Sequence, residues 1–318
     1  MSKKFTTFVM ASTLVALSLT MLPAQPATAA EKTFRVTLLG TGTPPPFMHR
    51  FGPGILVQAG NKNLLFDCGR GITQRLFQLK IPLGKVERLF LTHLHSDHVV
   101  GIPDLYLSGW LGAPWARRKV PFAVTGPAGT VSMMTHLKEA YAWDIKTRMF
   151  DQKLPAKPIS ISATDMTPGV VYEQGGVKVT AFKVNHGKKI DPAYGYRIDY
   201  DGRTVVLSGD TKYSDNVVKS AKGADLIVHS VAVIAAKLLK KSKVMRNILA
   251  HHSEPEDTAR IFNAVKPKLA VYSHVVMYGG TKEKDIMSRV KKNYAGPVLV
   301  GKDLMAITIG KNAVTIGK

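Results

Sequence analysis

Past residue 30 the chain alternates short apolar or period-two runs with longer stretches whose apolar positions recur every three or four residues, the pattern of strands interleaved with helices. It predicts strands at Phe34–Leu39, Ile55–Ala59, Asn63–Asp67 and Arg88–Thr92, with a helix at Ile72–Leu79. A helix follows at Thr130–Tyr141, then strands at Val177–Val184, Tyr194–Tyr200, Arg203–Ser208 and Asp225–His229. The last third predicts helices Glu256–Val265 and Lys282–Lys291 and strands Lys268–Ser273, Pro297–Val300 and Leu304–Ile309. Gly60-Asn61, Gly175-Gly176 and Asp201-Gly202 punctuate strand pairs as hairpin turns. Without repeats or long linkers, this order predicts the α/β class: an αββα sandwich of two mixed β-sheets flanked by helices, in one domain over residues 30–318. The least regular stretch, Phe150–Pro168, is expected to be a loop on the rim of the active site.

Composition narrows the class. Hydrophobic residues make up 45% and charged residues 21%, which suits a globular core and excludes a disordered or coiled-coil chain. A single cysteine, Cys68, excludes an internal disulfide and any Cys-based zinc module, and reads as a buried, inert thiol. Lys3 and Lys4, the uncharged run from Phe5 to Leu22 and the small-residue pattern Ala27-Thr28-Ala29 predict a cleavable signal peptide over residues 1–29. The expected location is periplasmic or secreted. No later stretch is long and apolar enough for a membrane span, and without a twin Arg the chain would be exported unfolded and acquire metal afterwards.

The chemistry concentrates in Thr92-His93-Leu94-His95-Ser96-Asp97-His98, directly after an apolar strand. In extended backbone, residues two apart point the same way, so His93 and His95 can address one metal while the following turn aims Asp97 and His98 at another. Further donors stand at strand ends: His186, Asp210 within Ser208-Gly209-Asp210-Thr211, and His274. A carboxylate can serve two cations where an imidazole nitrogen serves one, so Asp210 is the candidate shared ligand. The expected sets are His93, His95, His186 and Asp210 for one ion, and Asp97, His98, Asp210 and His274 for the other.

These motifs, with Leu39-Gly40-Thr41-Gly42-Thr43-Pro44 and Ala250-His251-His252-Ser253, resemble the metallo-β-lactamase superfamily, specifically its ribonuclease Z and arylsulfatase-like branch. Phe51-Gly52-Pro53, Asn185-His186-Gly187 and the leader make the chain most similar to exported arylsulfatases of that superfamily. The resemblance implies two Zn2+ ions sharing a hydroxide, Asp97 orienting it, and His252 as a non-ligand that stabilises charge or protonates the leaving oxygen. It leaves a homodimer open. Relatives often read Val-His-Glu where this chain has Val228-His229-Ser230, so a carboxylate is expected to be missing near the site; a phenolate leaving group tolerates that loss better than an alkoxide.

The substrate expected is a small anionic ester of sulfuric or phosphoric acid. Arylsulfatase-like activity ranks first, and phosphodiesterase or ribonuclease Z-like tRNA processing is the alternative. A tRNA-processing relative normally carries a Gly- and Pro-rich arm between its third and fourth motifs, and only 23 residues separate His186 from Asp210. Nucleic acid is therefore not the favoured partner. Lactone or thioester hydrolysis and a non-catalytic zinc-binding role are weaker readings. The excess of Lys and Arg, 44 against 22 acidic residues for a formal charge of +22, clusters at Arg117–Lys119, Lys188-Lys189, Lys237–Lys243 with Arg246, and Lys282–Lys292. Such a field concentrates anionic substrates, nucleic acid or an anionic cell surface alike, though solvated helix faces also account for it. Trp110, Trp115 and Trp143 offer an aromatic wall or core packing, and His49 and Arg50 a place at the pocket mouth. Gly40-Thr41-Gly42 lacks the Gly-Lys-Ser/Thr and the following helix of a phosphate cradle and reads as a tight turn.

Overall fold

In the computed structural model, residues 2–4 and 32–317 are described. The expected signal peptide, residues 1–29, falls outside them but for Ser2, Lys3 and Lys4. The first half builds one sheet with its outer helices: β1 (Phe34–Gly40), β2 (Gly54–Ala59), β3 (Lys62–Phe66), α1 (Ile72–Gln78), β4 (Arg88–Phe90), α2 (Ser96–Val99), α3 (Ile102–Ser108), β5 (Phe122–Gly126), α4 (Thr130–Ala140), α5 (Ala142–Asp151), α6 (Ala156–Ile159) and β6 (Ile161–Asp165). The second sheet follows: β7 (Gly169–Gln174), β8 (Val177–Lys183), β9 (Tyr194–Tyr200), β10 (Arg203–Leu207), α7 (Asp215–Ser220), β11 (Leu226–Ile234), α8 (Ala236–Lys241), α9 (Lys243–Leu249), α10 (Pro255–Val265), β12 (Leu269–Tyr278), α11 (Glu283–Lys291) and β13 (Val298–Val300). The chain then returns to the first sheet with β14 (Ala306–Ile309) and β15 (Val314–Gly317).

The strand orders are β15-β14-β1-β2-β3-β4-β5-β6 and β13-β12-β11-β10-β9-β8-β7, both sheets mixing parallel and antiparallel neighbours. Period-two alternation sorts each strand's side chains into layers. Leu64 and Phe66 of β3 face Tyr196, Val205 and Val228 between the sheets. Leu65, one residue out of phase, packs outward with Ile72 of α1, Ile102 and Leu105 of α3 and Met134 of α4. On the other sheet Val206, Ile227 and Ala270 turn outward onto Val217, Ala259, Phe262 and Ile286 of α7, α10 and α11. Helices thus cover both outer faces, giving the expected αββα sandwich.

Three expectations are corrected. Phe150–Pro168 is no loop: it holds α6 and β6, the edge strand of the first sheet, where Ile161 and Ala163 pack on the outer core while Ser162 and Thr164 alternate with them. β11 and β12 run past His229 and Ser273 to Ile234 and Tyr278, because their pairing resumes beyond an irregularity between Ser230 and Val231. Arg50 is buried on Thr41, Gly301 O and Glu283 and does not line a pocket mouth, while Trp110 takes the core-packing alternative, its indole donating to Pro155 O at 2.9 Å.

Candidate metal centre

β4 ends at Phe90, and the extended segment after it delivers His93 and His95 to the sandwich edge before α2 begins at Ser96. That single helical turn carries Asp97 and His98, both buried. From the second sheet, Gly209 makes the turn after β10 at φ 61°, and any Cβ there would stand 2.5 Å from Tyr194 O, so the turn that presents Asp210 requires glycine. His274 is the extra residue of a bulge: Ser230 pairs with Ser273 and Val231 with Val275, leaving His274 unpaired at φ 45° with its ring turned toward the site. Thr41, in the turn expected to be tight rather than phosphate-binding, accepts a hydrogen bond from Val275 N at 3.1 Å and pins that bulge.

All seven predicted ligands come together. Ligand atoms of His93, His95 and His186 lie within 4.8 Å of one another, as do those of Asp97, His98 and His274. Asp210 stands between the two groups, its Oδ2 3.1 Å from His274 Nε2, 3.4 Å from His98 Nε2 and 3.9 Å from His186 Nε2. His93 Nε2 and His95 Nδ1 are 2.8 Å apart, and His95 Nδ1 and His186 Nε2 3.4 Å. His252 also lies within reach, its donor atom close to His186 and Asp210, and its ring stacks on His274 with centroids 5.3 Å apart. The position that sequence reasoning set aside as a non-ligand is therefore adjacent to both groups. His95 is exposed and His252 half-buried, so the cluster opens to solvent on that side while the other members are buried.

The hydrogen bonds behind the rings decide which nitrogens face inward. His186 Nδ1 donates to His251 O at 2.9 Å, leaving Nε2 without a proton for the cluster. His98 Nδ1 donates to Asp67 Oδ2 at 2.8 Å, and its buried Nε2 has no hydrogen-bond partner. Thr92 Oγ1 donates to Asp67 Oδ2 at 2.9 Å and so accepts from His93 Nδ1 at 3.0 Å, which turns His93 Nε2 inward as a bare lone pair. Asp67, at the end of β3 beside β4, was missed by sequence reasoning, although a carboxylate closing the strand next to a histidine motif is a legible signal. Burial keeps His93 well below the ordinary imidazole range, His186 at about 4 and His252 at about 3, so these rings are neutral. Burial alone would raise Asp97 and Asp210, but His274 and His98 hold both carboxylates below their usual range. Burial opposes charge on His98, yet Asp67 and Asp210 outweigh it and raise this ring well above its ordinary value. The bare nitrogens of His93 and His186 and the ionised carboxylates of Asp97 and Asp210 converge at one edge of the sandwich, and His/Asp sets of this type suit zinc.

A model of the beta-lactamase superfamily domain matches residues 62–275, two thirds of the chain. Ribonuclease Z of Mycobacterium bovis is 31% identical over 275 residues, covering 86% of this chain and 98% of the relative. The chain belongs to the metallo-β-lactamase superfamily, in its ribonuclease Z branch. Among solved structures, the metallo-β-lactamase fold protein YhfI of Bacillus subtilis superposes with a TM-score of 0.69 at 20% identity, covering 87% of this chain and all of that one. The short form of human tRNase Z gives 0.65 at 22% identity, covering 87% and 99%. At such identities these two structures speak for the superfamily fold alone. The superfamily's metallo-hydrolase character and the donor cluster together make this chain a metal-dependent hydrolase.

Proposed function

We propose that the protein is a phosphodiesterase of ribonuclease Z type that holds two zinc ions and hydrolyses the phosphodiester backbone of nucleic acid. The observation that carries this reading is Asp210 set between two three-residue donor groups, in a chain that matches relatives named ribonuclease Z over 86% of its own length and 98% of theirs. That match changes the ranking made from sequence. The short His186–Asp210 interval argued against nucleic acid, but a ribonuclease Z covered to 98% by an alignment of 275 residues has no length for a long additional arm either. Of the tryptophans offered for either an aromatic wall or core packing, Trp110 lies in the core.

His93, His95 and His186 would hold one ion and Asp97, His98 and His274 the other, with Asp210 reaching both. When bound, such a pair supplies Lewis acidity toward a phosphoryl oxygen and acidifies water for in-line attack. Asp97 Oδ2 lies 3.3 Å from His274 Nε2, and the carboxylate can orient the attacking water by accepting its proton's hydrogen bond. His252 stands at the open side, neutral, with Nδ1 buried and unpartnered, so Nε2 is the nitrogen left to donate to a phosphoryl or leaving oxygen. Ser230, buried on β11, offers no carboxylate to support it.

Zinc-loaded protein assayed with bis(p-nitrophenyl) phosphate, p-nitrophenyl sulfate and a single-stranded RNA oligonucleotide tests this. The phosphodiester is expected to exceed the sulfate ester in kcat/KM by about 100-fold or more, with cleavage of the RNA. A faster sulfate ester would restore the arylsulfatase reading and overturn this one.

A further inference from the structure

Between Asp225 and Glu254 the chain has no acidic residue, and within that interval α8 and α9 carry Lys237, Lys240, Lys241, Lys243 and Arg246, all exposed. The four lysines enter no ion pair among the described residues. The two helices are held as one unit. Ser242 joins them and caps α9 by accepting from Met245 N at 3.3 Å, and the Arg246 guanidinium folds back on the last carbonyls of α8, Leu239 O at 2.6 Å and Lys240 O at 3.3 Å.

Local helix electrostatics explain only part of this charge. Lys240 and Lys241 sit at the C-terminal end of α8, where the helix dipole favours cations, but Lys243 opens α9, where the dipole disfavours them, and no carboxylate offsets the mutual repulsion. The arrangement costs stability that an anionic ligand would return. Its position says which ligand. α9 ends at Leu249, three residues before His252, and Lys243 lies only about 9 Å further along the helix axis. A Cβ on Gly187 would stand 2.7 Å from the His251 ring, so the loop bearing Lys188 and Lys189 packs against the end of α9 and extends the positive surface around His186. Lys212 joins the same rim, its N–H donating to Asn185 O at 2.9 Å.

We propose that α8 and α9, with Lys188, Lys189 and Lys212, form a cationic platform that binds the phosphate backbone of a single-stranded polynucleotide and feeds it to the metal centre; this rests on the phosphodiesterase reading above. A membrane surface fits less well. An interfacial helix must offer an apolar face, whereas Leu238, Leu239, Met245, Ile248 and Leu249 are half-buried against the body and only Val244 among the apolar side chains longer than alanine in α8 and α9 is exposed.

The test compares two zinc-loaded variants of equal net charge. One is K237E/K240E/K241E/K243E. The other is K219E/K222E/K291E/K292E, whose exposed lysines lie toward the opposite ends of the parallel strands β11, β12 and β13. Affinity for a labelled 20-nucleotide 2′-O-methyl RNA is read by anisotropy across a salt series, alongside kcat/KM for bis(p-nitrophenyl) phosphate. The platform variant is expected to bind the oligonucleotide at least tenfold more weakly and to flatten the log–log salt slope by about 2–3, while small-ester turnover changes less than about twofold. Equal loss in the control variant, or no loss in the platform variant, overturns the proposal. So does a platform needed for phosphatidylglycerol vesicles and not for the oligonucleotide. A wild type that binds the oligonucleotide through the platform yet leaves the small phosphodiester intact sinks the catalytic reading instead.

Discussion

The inward-facing nitrogens of His93, His98 and His186 are each selected by what the other nitrogen of the ring holds. Asp67 does this twice, directly for His98 and through Thr92 for His93. Asp67→Asn would keep the shape and weaken both contacts, and zinc affinity measured by chelator competition is expected to fall about 10–100-fold; unchanged affinity would show that the outer hydrogen bonds do not matter. His252 poses the opposite question, since the geometry puts it within reach of His186 and Asp210. His252→Ala is expected to retain both zinc ions by elemental analysis while kcat drops roughly 10²–10⁴-fold. Loss of an ion would make it a ligand. The seven ligands were legible because donors of one chemistry cluster in one motif and at breaks in the strand pattern, and His252 through the resemblance. Asp67 was not, because its role depends on β3 lying parallel beside β4, a pairing between segments more than twenty residues apart.

Elements aim the donors through local backbone irregularities. The bulge at His274 and the left-handed turn at Gly209 bring two of the second sheet's ligands, His274 and Asp210, inward. Gly209→Ala should therefore act on both stability and metal: about 1–3 kcal/mol lost in denaturant unfolding, because φ is positive and Tyr194 O blocks a Cβ, together with zinc content reduced below that of wild type. Full metal content at wild-type stability would show that the turn relaxes without cost. Most strands and the longer helices were readable from periodicity because each has a single buried face against one core. Edge strand β6 was not, since half of its pattern is solvent-facing and its apolar residues are few, so it resembled a loop. The bulge was equally invisible, because period-two reading ends a strand at the first break in alternation, while β12 resumes beyond it.

At the scale of the whole molecule, the two sheets meet so that the C-terminal ends of β4, β8 and β10 and the bulge within β12 share one rim, and the ligands stand on that rim although they span residues 93 to 274. The positive charge is distributed unevenly around it, heaviest on α8 and α9 beside His252. The αββα order was legible because strand-rich halves each carry their own helices, and the nature of the substrate was not, because the same donor set serves sulfate and phosphate esters. Hydrolysis at this rim depends on a pair of cations. Crystals of the zinc-loaded protein measured on both sides of the zinc absorption edge are expected to show two anomalous peaks, one touching His93, His95 and His186, the other Asp97, His98 and His274, with Asp210 in contact with both. A single peak, or a second ion coordinated without Asp210, would contradict it.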